Sequence, residues 1–337
     1  MKFRKMRFLV VGFFVVSLFI SLCGTTVCAE DKLVMKVAGI SPLEYRSTLG
    51  LNRIAEKVDK ATDGRIKMDV FPMNQLGDYI QVFEEIQRGT IEMGLIFIPS
   101  QYDVMLEIGS LPFLAENAEG MREQLSSGSY VYSIIDDSLS KLGVKLLGIQ
   151  GEGFIGVGTA KKPKNYADPK ADKDTLIRVS TTAVYKETAQ DMGYRTTSIP
   201  YADTYSAIQT GVCDGWIGGS SLINYLVFRD VINYYTPYNC LFDQTGYMIN
   251  QELWDSLSPE DQKIIQEAVN YESAKSFDDC KAEDAEYMDM MAEEGIEILE
   301  ITPEQKKALA DHIRNVTWPK LEEKFGKDIL DKVKKSL

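Results

Sequence analysis

The sequence predicts an α/β protein built as two lobes, and three observations carry that expectation. Strand and helix patterns alternate through the first hundred residues. About 308 residues remain once an N-terminal leader is set aside, more than one hydrophobic core usually serves. One unbroken helical pattern is longer than a single lobe is wide.

The leader is residues 1–29. Lys2, Arg4, Lys5 and Arg7 precede an apolar run from Phe8 to Leu22, and Val27-Cys28-Ala29 ends it as a small-residue cleavage site. The run is too short for the roughly 20 residues that span a bilayer, so we read it as an export signal cleaved after about Ala29. Cys23 and Cys28 raise a lipoprotein reading, but Leu22 and Val27 stand where such a site wants a small residue. The location expected is periplasmic.

Each element then has its own signal. Leu33 to Gly39 alternates as a strand, Thr48 to Ala61 is amphipathic, and Ile66 to Phe71 is a second strand stopped by Pro72. A turn around Asn74-Gln75-Leu76-Gly77 feeds a helix from Tyr79 to Arg88. Ile91 to Pro99 is nearly all apolar, as a strand covered on both faces should be. Met121 to Leu142 reads as helix with a polar interruption at 126–129. Val144 to Ile149 and Phe154 to Thr159 read as two separate strands, and residues 161–174, mixing lysines, aspartates and two prolines, as a solvated excursion.

A lone arginine in the apolar run LIRV, residues 176–179, is the sharpest chemical signal. A guanidinium stays charged in a protein, so burial demands a carboxylate or several carbonyls to match its fork. Either the protein supplies that anion or a ligand does. A helix from Val184 to Met192, a strand near Thr196 to Ile199, a helix from Tyr201 to Thr210 and a strand at Cys213 to Ile217 follow, with further β pieces at Val231 to Tyr235 and Gly246 to Asn250. Ser258-Pro259-Glu260 starts a helix with a cap, a first-position proline and early acids, and nothing interrupts it before about Glu294. At 1.5 Å per residue that is roughly 55 Å. Two more helices fill Thr302 to Leu337, with Pro319 between them or at the start of the second.

Charge and composition exclude several classes. Removing the leader takes four of the 37 basic residues and none of the 50 acids, leaving 33 against 50 and a formal net charge of −17. Such a surface repels nucleic acid and anionic lipid, whereas a pocket arginine acts at contact distance. Catalysis is poorly equipped: His312 is the single histidine, there is no GxSxG, HExxH or CxxC, and pairs such as Glu84-Glu85 point different ways on a helix. No metal site or cofactor is expected. Cys213, Cys240 and Cys280 follow the leader, and Cys213 with Cys240 could bridge or all three could be buried thiols.

Taken in order, GRIKMDVFPMNQLGD, IQRGTIEMG, LPFL, LIRVS, YADTYSAIQTGVCDG and WDSLSPEDQ resemble the extracytoplasmic solute-binding subunits of TRAP transporters, the DctP-like family, over essentially all of the chain after the leader. The resemblance implies a two-lobe periplasmic-binding-protein (Venus-flytrap) fold with a long helix spanning both lobes and a cleft that closes on an organic acid anion for a membrane permease. Closure is then a hinge motion favoured by contacts made only in the closed state. The lobes expected are 30–151 plus about 241–280, and 152–240 plus about 281–337, in a monomer.

By the same resemblance Arg178 grips the ligand carboxylate, Tyr201 packs against the ligand, and the loop after Asp214-Gly215 lies at the cleft. Phe154, Trp216 and Gly218 are further candidates, with Gln75 and Phe97. Many dicarboxylate binders of the family carry a second arginine before the lysine-proline loop; here none occurs between Arg122 and Arg178, and residues 154–158 read FIGVG. One arginine with Tyr201, Trp216 and Phe154 around it suits an aromatic or branched monocarboxylate, Gly218 and Gly219 leaving room. A C4-dicarboxylate binder, or a subunit that reports to a receptor, are the alternatives.

Overall fold

Three strands and two helices open the chain as their periodicity expects. The computed structural model describes residues 32–180 and 182–337; the expected leader, residues 1–29, lies outside them. β1 (Leu33–Gly39), α1 (Arg46–Ala61), β2 (Ile66–Phe71), α2 (Tyr79–Arg88) and β3 (Met93–Phe97) follow in order, and β1 lies between β2 and β3, parallel to both. Met35 and Val37 of β1 bury against Leu51, Ile54 and Val58 of α1. α2 starts on a reciprocal cap, in which the Asp78 carboxylate accepts the Ile80 and Gln81 N–H groups while the Gln81 side chain accepts the Asp78 N–H. Gly89 ends it in the left-handed conformation. The interruption at 126–129 separates α3 (Ala118–Leu125) from α4 (Tyr130–Lys141), which Ser129 caps.

The centre of the sheet differs from the expectation. Residues 144–149 and 154–159 form one strand, β4 (Val144–Thr159), and the β pieces at 231–235 and 246–250 join as β8 (Tyr234–Asn250). The two pair antiparallel along their lengths, with register shifts at Leu146/Gly148, Gly151/Gly153 and Ile155/Val157. The glycines that read as a break are absorbed as bulges, which bend a strand without ending it. Gly156 is needed at its bulge, because a Cβ there would meet the Tyr235 ring at 2.4 Å.

The second half adds β5 (Leu176–Val179), α5 (Ala183–Asp191), β6 (Arg195–Ser198), α6 (Thr204–Gln209), β7 (Gly215–Ile217) and α7 (Ser221–Ile223). The sheet order is β2-β1-β3-β8-β4-β7-β5-β6, with β9 (Glu297–Ile298) on β8. Two parallel three-stranded groups thus lie at opposite ends, and β8 with β4 bridges them. One core packs around α1 and β1 to β3, another around β7, α6 and β9, and the largest runs through the middle to the C-terminal helices.

After the short α8 (Gln251–Ser256), α9 (Pro259–Glu293) ties these parts together. Near its start Asp261 and Glu272 take bidentate hydrogen bonds from Arg65 and Arg53. Its middle lies on β4, where Gln266 and Ser273 donate to the carbonyls of Leu147 and Ile149 and the Ser276 hydroxyl accepts the Gly151 N–H. Toward its end Asp284 accepts from Ser221, Tyr287 meets Tyr225 at 5.7 Å, and Met291 is buried beside β9.

Two C-terminal details complete the picture. Pro319 lies inside α10 (Pro303–Phe325), and the break before α11 (Lys327–Ser336) falls at Gly326 (φ 82°). The missing proline N–H is tolerated where Trp318, fully buried, anchors the helix by donating its indole N–H to the Pro112 carbonyl. His312 donates Nε2–H to the Asp191 carbonyl, a structural link between α10 and α5. Cys213, Cys240 and Cys280 are buried free thiols. No helix among the described residues is long and apolar enough to cross a membrane.

The Ser258 hydroxyl accepts the Asp261 N–H and donates to its carboxylate, so it serves both the end of α9 and the Arg65 ion pair. Ser258→Ala should cost about 1 kcal/mol, the scale for losing an N-cap, read as a lowered urea midpoint at unchanged slope.

Candidate functional site

Arg178 sits third in the four-residue strand β5, opposite Thr197 of β6 and Trp216 of β7. The strand is placed by the Asp214-Gly215 turn: the Asp214 carboxylate accepts the Leu176 N–H, its own N–H donates to the Leu176 carbonyl, and Lys161 pairs with it at 2.9 Å. Asp214 is thereby committed to building β5 rather than to neutralising Arg178.

The Arg178 side chain is buried, with 6 % of the residue exposed, and its Nε donates to the Ile199 carbonyl at 2.8 Å. No carboxylate among the described residues forms an ion pair with it. Burial lowers its pKa, opposed by Tyr185, Tyr201, Cys213 and Tyr79, none of which is anionic at neutral pH. An arginine so placed keeps its charge, and the unused half of its fork is a site for an anion.

Three tyrosines surround it. Tyr79 opens α2 and packs edge-on to Phe97, which is 37 % exposed at the end of β3. Tyr185 lies in the first turn of α5, and Tyr201, 51 % exposed, begins the turn after Pro200. Tyr79 belongs to the N-terminal half of the sheet and Arg178 to the other, so the cleft between the halves brings them together.

The remaining sequence candidates divide. Trp216 points into a core: it is 2 % exposed, stacks on Phe228 at 4.2 Å between centroids, and donates its indole N–H to Asn224. The half-exposed Tyr201 ring lies 6.0 Å from it. Phe154 is also buried, edge-on to Phe242, with the Lys306 ammonium 5.7 Å from its ring. Gly218 (φ +155°) does not leave room for a ligand; the Trp216 ring fills the space, 2.5 Å from where a Cβ would lie, while the Gly219 Cβ position is taken by Ile223. Gln75 is exposed in the turn after β2.

Sequence reasoning missed a second charged group, at the middle bulge of β4 and β8. Arg46, the first residue of α1, donates to the Gly151 carbonyl and pairs with Glu283 at 2.8 Å and Glu152 at 3.5 Å. Glu152 also accepts from Thr245 and Tyr45. Asp243 lies on β8 opposite Gly153. The signal was present: Glu152 and Asp243 are lone acids in the apolar runs LLGIQGEGFIGVG and YNCLFDQTGYMIN, the pattern that singled out Arg178.

A hollow of about 640 Å³ between α3, α10 and the end of α11, lined by Glu116, Gln124, Arg314 and Trp318, lies apart from Arg178. Arg314 at its wall already donates to the Phe113 carbonyl and pairs with Glu116.

A sheet in two halves, bridged by long strands and clasping an unpaired arginine in the cleft, defines a two-lobe solute-binding protein. Residues 38–324 match the family of bacterial extracellular solute-binding proteins, family 7 (DctP), and the chain belongs to it. It is 24 % identical to the sialic acid-binding periplasmic protein SiaP of Vibrio cholerae over 77 % of this chain and 80 % of that protein. It is also 24 % identical to the C4-dicarboxylate-binding periplasmic protein DctP of the same organism, over 90 % and 91 %. Among solved structures, a TRAP periplasmic solute-binding protein of Haemophilus influenzae with bound L-gulonate has a TM-score of 0.79 at 22 % identity, covering 91 % of this chain and all of that one. Another from Ochrobactrum anthropi has a TM-score of 0.81 at 21 % identity, covering 91 % and 95 %. At these identities the structures establish the fold.

Gly218→Ala forces a Cβ into the Trp216 ring from a backbone conformation that suits glycine. It should destabilise by about 1 to 3 kcal/mol and change the near-ultraviolet circular dichroism of the tryptophan; an unaltered spectrum and melting temperature would show that the loop yields freely.

Proposed function

We propose that this chain is a periplasmic, non-catalytic binding protein that captures an organic monocarboxylate on Arg178 and delivers it to a TRAP-type membrane permease. The observation that carries this reading is a buried guanidinium with no carboxylate partner among the described residues. Solved relatives were found with organic acids, including L-gulonate in the Haemophilus influenzae protein and succinate in that of Sulfurospirillum deleyianum, which supports an organic acid as the ligand. The family supports the permease as partner and binding rather than catalysis as the role.

A monocarboxylate is favoured over a C4-dicarboxylate because the cleft's other arginine, Arg46, is already held by two glutamates. The aromatic or branched character expected of the ligand now rests on Tyr201, Tyr79 and Phe97, since Trp216 and Phe154 pack inward. We assign the lobes to 30–151 plus about 241–280 and to 152–240 plus about 281–337. In support, the core around β1 to β3 draws only on the first set and that around β7 only on the second.

Arg178→Ala should weaken binding of any acid that stabilises the wild-type chain by about 2 to 5 kcal/mol, and Arg178→Lys by less, because lysine keeps the charge but lacks the fork. Calorimetry with an acid chosen by thermal-shift screening tests this, and affinity within about threefold of wild type for Arg178→Ala would overturn the assignment. Small-angle scattering should show a smaller radius of gyration with saturating ligand than without.

A further inference from the structure

Asp243 is the acid in the cleft region that nothing described so far uses. It lies on β8 at the middle bulge, opposite Gly153, and is partly open to solvent. Its Oδ1 accepts the Gln244 N–H at 3.1 Å, and no ion pair to it forms among the described residues. The cation whose charge bears on it, Arg46, is claimed by Glu152 and Glu283. The groups whose charges bear on Asp243 are Glu152 and Arg46, and its own charge reaches the hydroxyls of Tyr45, Tyr185 and Tyr201. Tyr185 and Tyr201 also feel Arg178. Two tyrosines therefore lie within reach of both an arginine and an acid that have no ion-pair partner among the described residues.

Charge balance limits what can occupy that space. The charges of this region are Arg46, Arg178 and Lys306 against Glu152, Glu283, Asp284 and Asp243, three against four, so the fully ionised group carries one net negative charge before any ligand arrives. A simple carboxylate on Arg178 adds a second as the cleft sheds water, and buried charge of one sign is costly. A hydroxyl elsewhere on the ligand can donate to Asp243 but leaves its charge uncompensated. A cationic nitrogen compensates it.

We propose that the solute is a zwitterion whose carboxylate sits on Arg178 and whose cationic nitrogen sits on Asp243, with Tyr185 and Tyr201 between. This rests on the carboxylate reading of Arg178 and adds the chemistry of the ligand's other end. A proton accompanies it. Burial pushes the Asp243 carboxyl up to about 7, helped by Glu152 and opposed by the Gln244 N–H and Arg46, so near neutral pH it is partly protonated. An arriving cation favours the ionised form and expels that proton, so binding of the zwitterion near pH 7 releases up to roughly half a proton. A hydroxy acid of the same shape does not.

The test uses the purified chain and matched acids that differ in one substituent. These are leucine, 2-hydroxy-4-methylpentanoate and 4-methylpentanoate; phenylalanine, 3-phenyllactate and 3-phenylpropanoate; and 4-aminobutyrate, 4-hydroxybutyrate and butyrate. In at least one triplet the amino member should bind tenfold or more tighter than the hydroxy member. Asp243→Asn should collapse that ratio to threefold or less, because its neutral amide cannot compensate a cation. Calorimetry in two buffers of different ionisation enthalpy at pH 7 should show proton release for the amino member with wild type and none with Asp243→Asn. The proposal is overturned if no amino member binds wild type, if the hydroxy or unsubstituted member binds as well in every triplet, or if the ratio or the proton release survives in Asp243→Asn. A nitrogen-free acid that binds more tightly than every amino member, and whose binding needs Arg178, would overturn the zwitterion alone. An acid that binds Arg178→Ala as it binds wild type would overturn the carboxylate reading beneath it.

Discussion

The hydrogen-bond ladder between β4 and β8 is the constraint on which the rest depends. It runs from Val144 opposite Asn250 to Thr159 opposite Tyr234, and both parallel strand groups hang from it. A continuous ladder resists shear between its strands, so relative movement of the two halves has to be taken up where the register slips. Three bulges supply those places, and bulges raise local twist and bend at the expense of one unpaired residue each. The sheet is thus stiff along most of its length and compliant at defined points.

The two cleft arginines show how one residue type serves opposite purposes. Arg46 lies at the middle bulge, held by Gly151, Glu152 and Glu283, and so joins α1, β4 and α9 where the ladder slips. Removing one partner from such a buried group leaves an uncompensated charge, which makes it a fastening more than a source of net stability. Arg178 is at least as buried and has no acid partner among the described residues. Desolvation of its charge is offset by one carbonyl and by the polar rims of tyrosines, an arrangement that leaves the free protein less than fully satisfied and ready to gain from an anion.

Local signals were legible in the sequence and non-local ones were not. The turn at 74–77 before α2, the Ser258-Pro259 start of α9 and the apolar run of β3 each depend on residues adjacent in the chain, and each element lies where its pattern places it. β4 and β8 were read as fragments because the glycines of the one, and Pro237 and Asn239 of the other, look like breaks until the partner strand is known. Pro319 likewise reads as a boundary, yet α10 passes through it with Trp318 and Arg314 anchored to the 112–113 loop. Arg178 was visible as a charge out of place. The orientation of Trp216 was not, since its fate depends on Phe228 and Asn224, which a turn of π-helix (Asn224–Phe228) brings underneath it. Glu152 stands between two glycines that pass for a turn, and Asp243 stands beside Gln244 and Thr245 in a stretch whose pairing with β4 is not visible from the chain alone.

The central position of β8 also bears on the order in which the molecule can assemble. β3 has its antiparallel partner in β8, Met93 facing Ile249, and β4 meets the same strand from the other side. The first three strands and their helices are therefore left with an open edge until some 150 further residues exist, and neither half can close its sheet ahead of the other. Pairings so distant in sequence are slow to form, because the entropy of a long loop is lost before any contact repays it. A chain with this topology spends its early life with exposed strand edges. It gains in return a native state that a partly synthesised or partly threaded chain cannot reach.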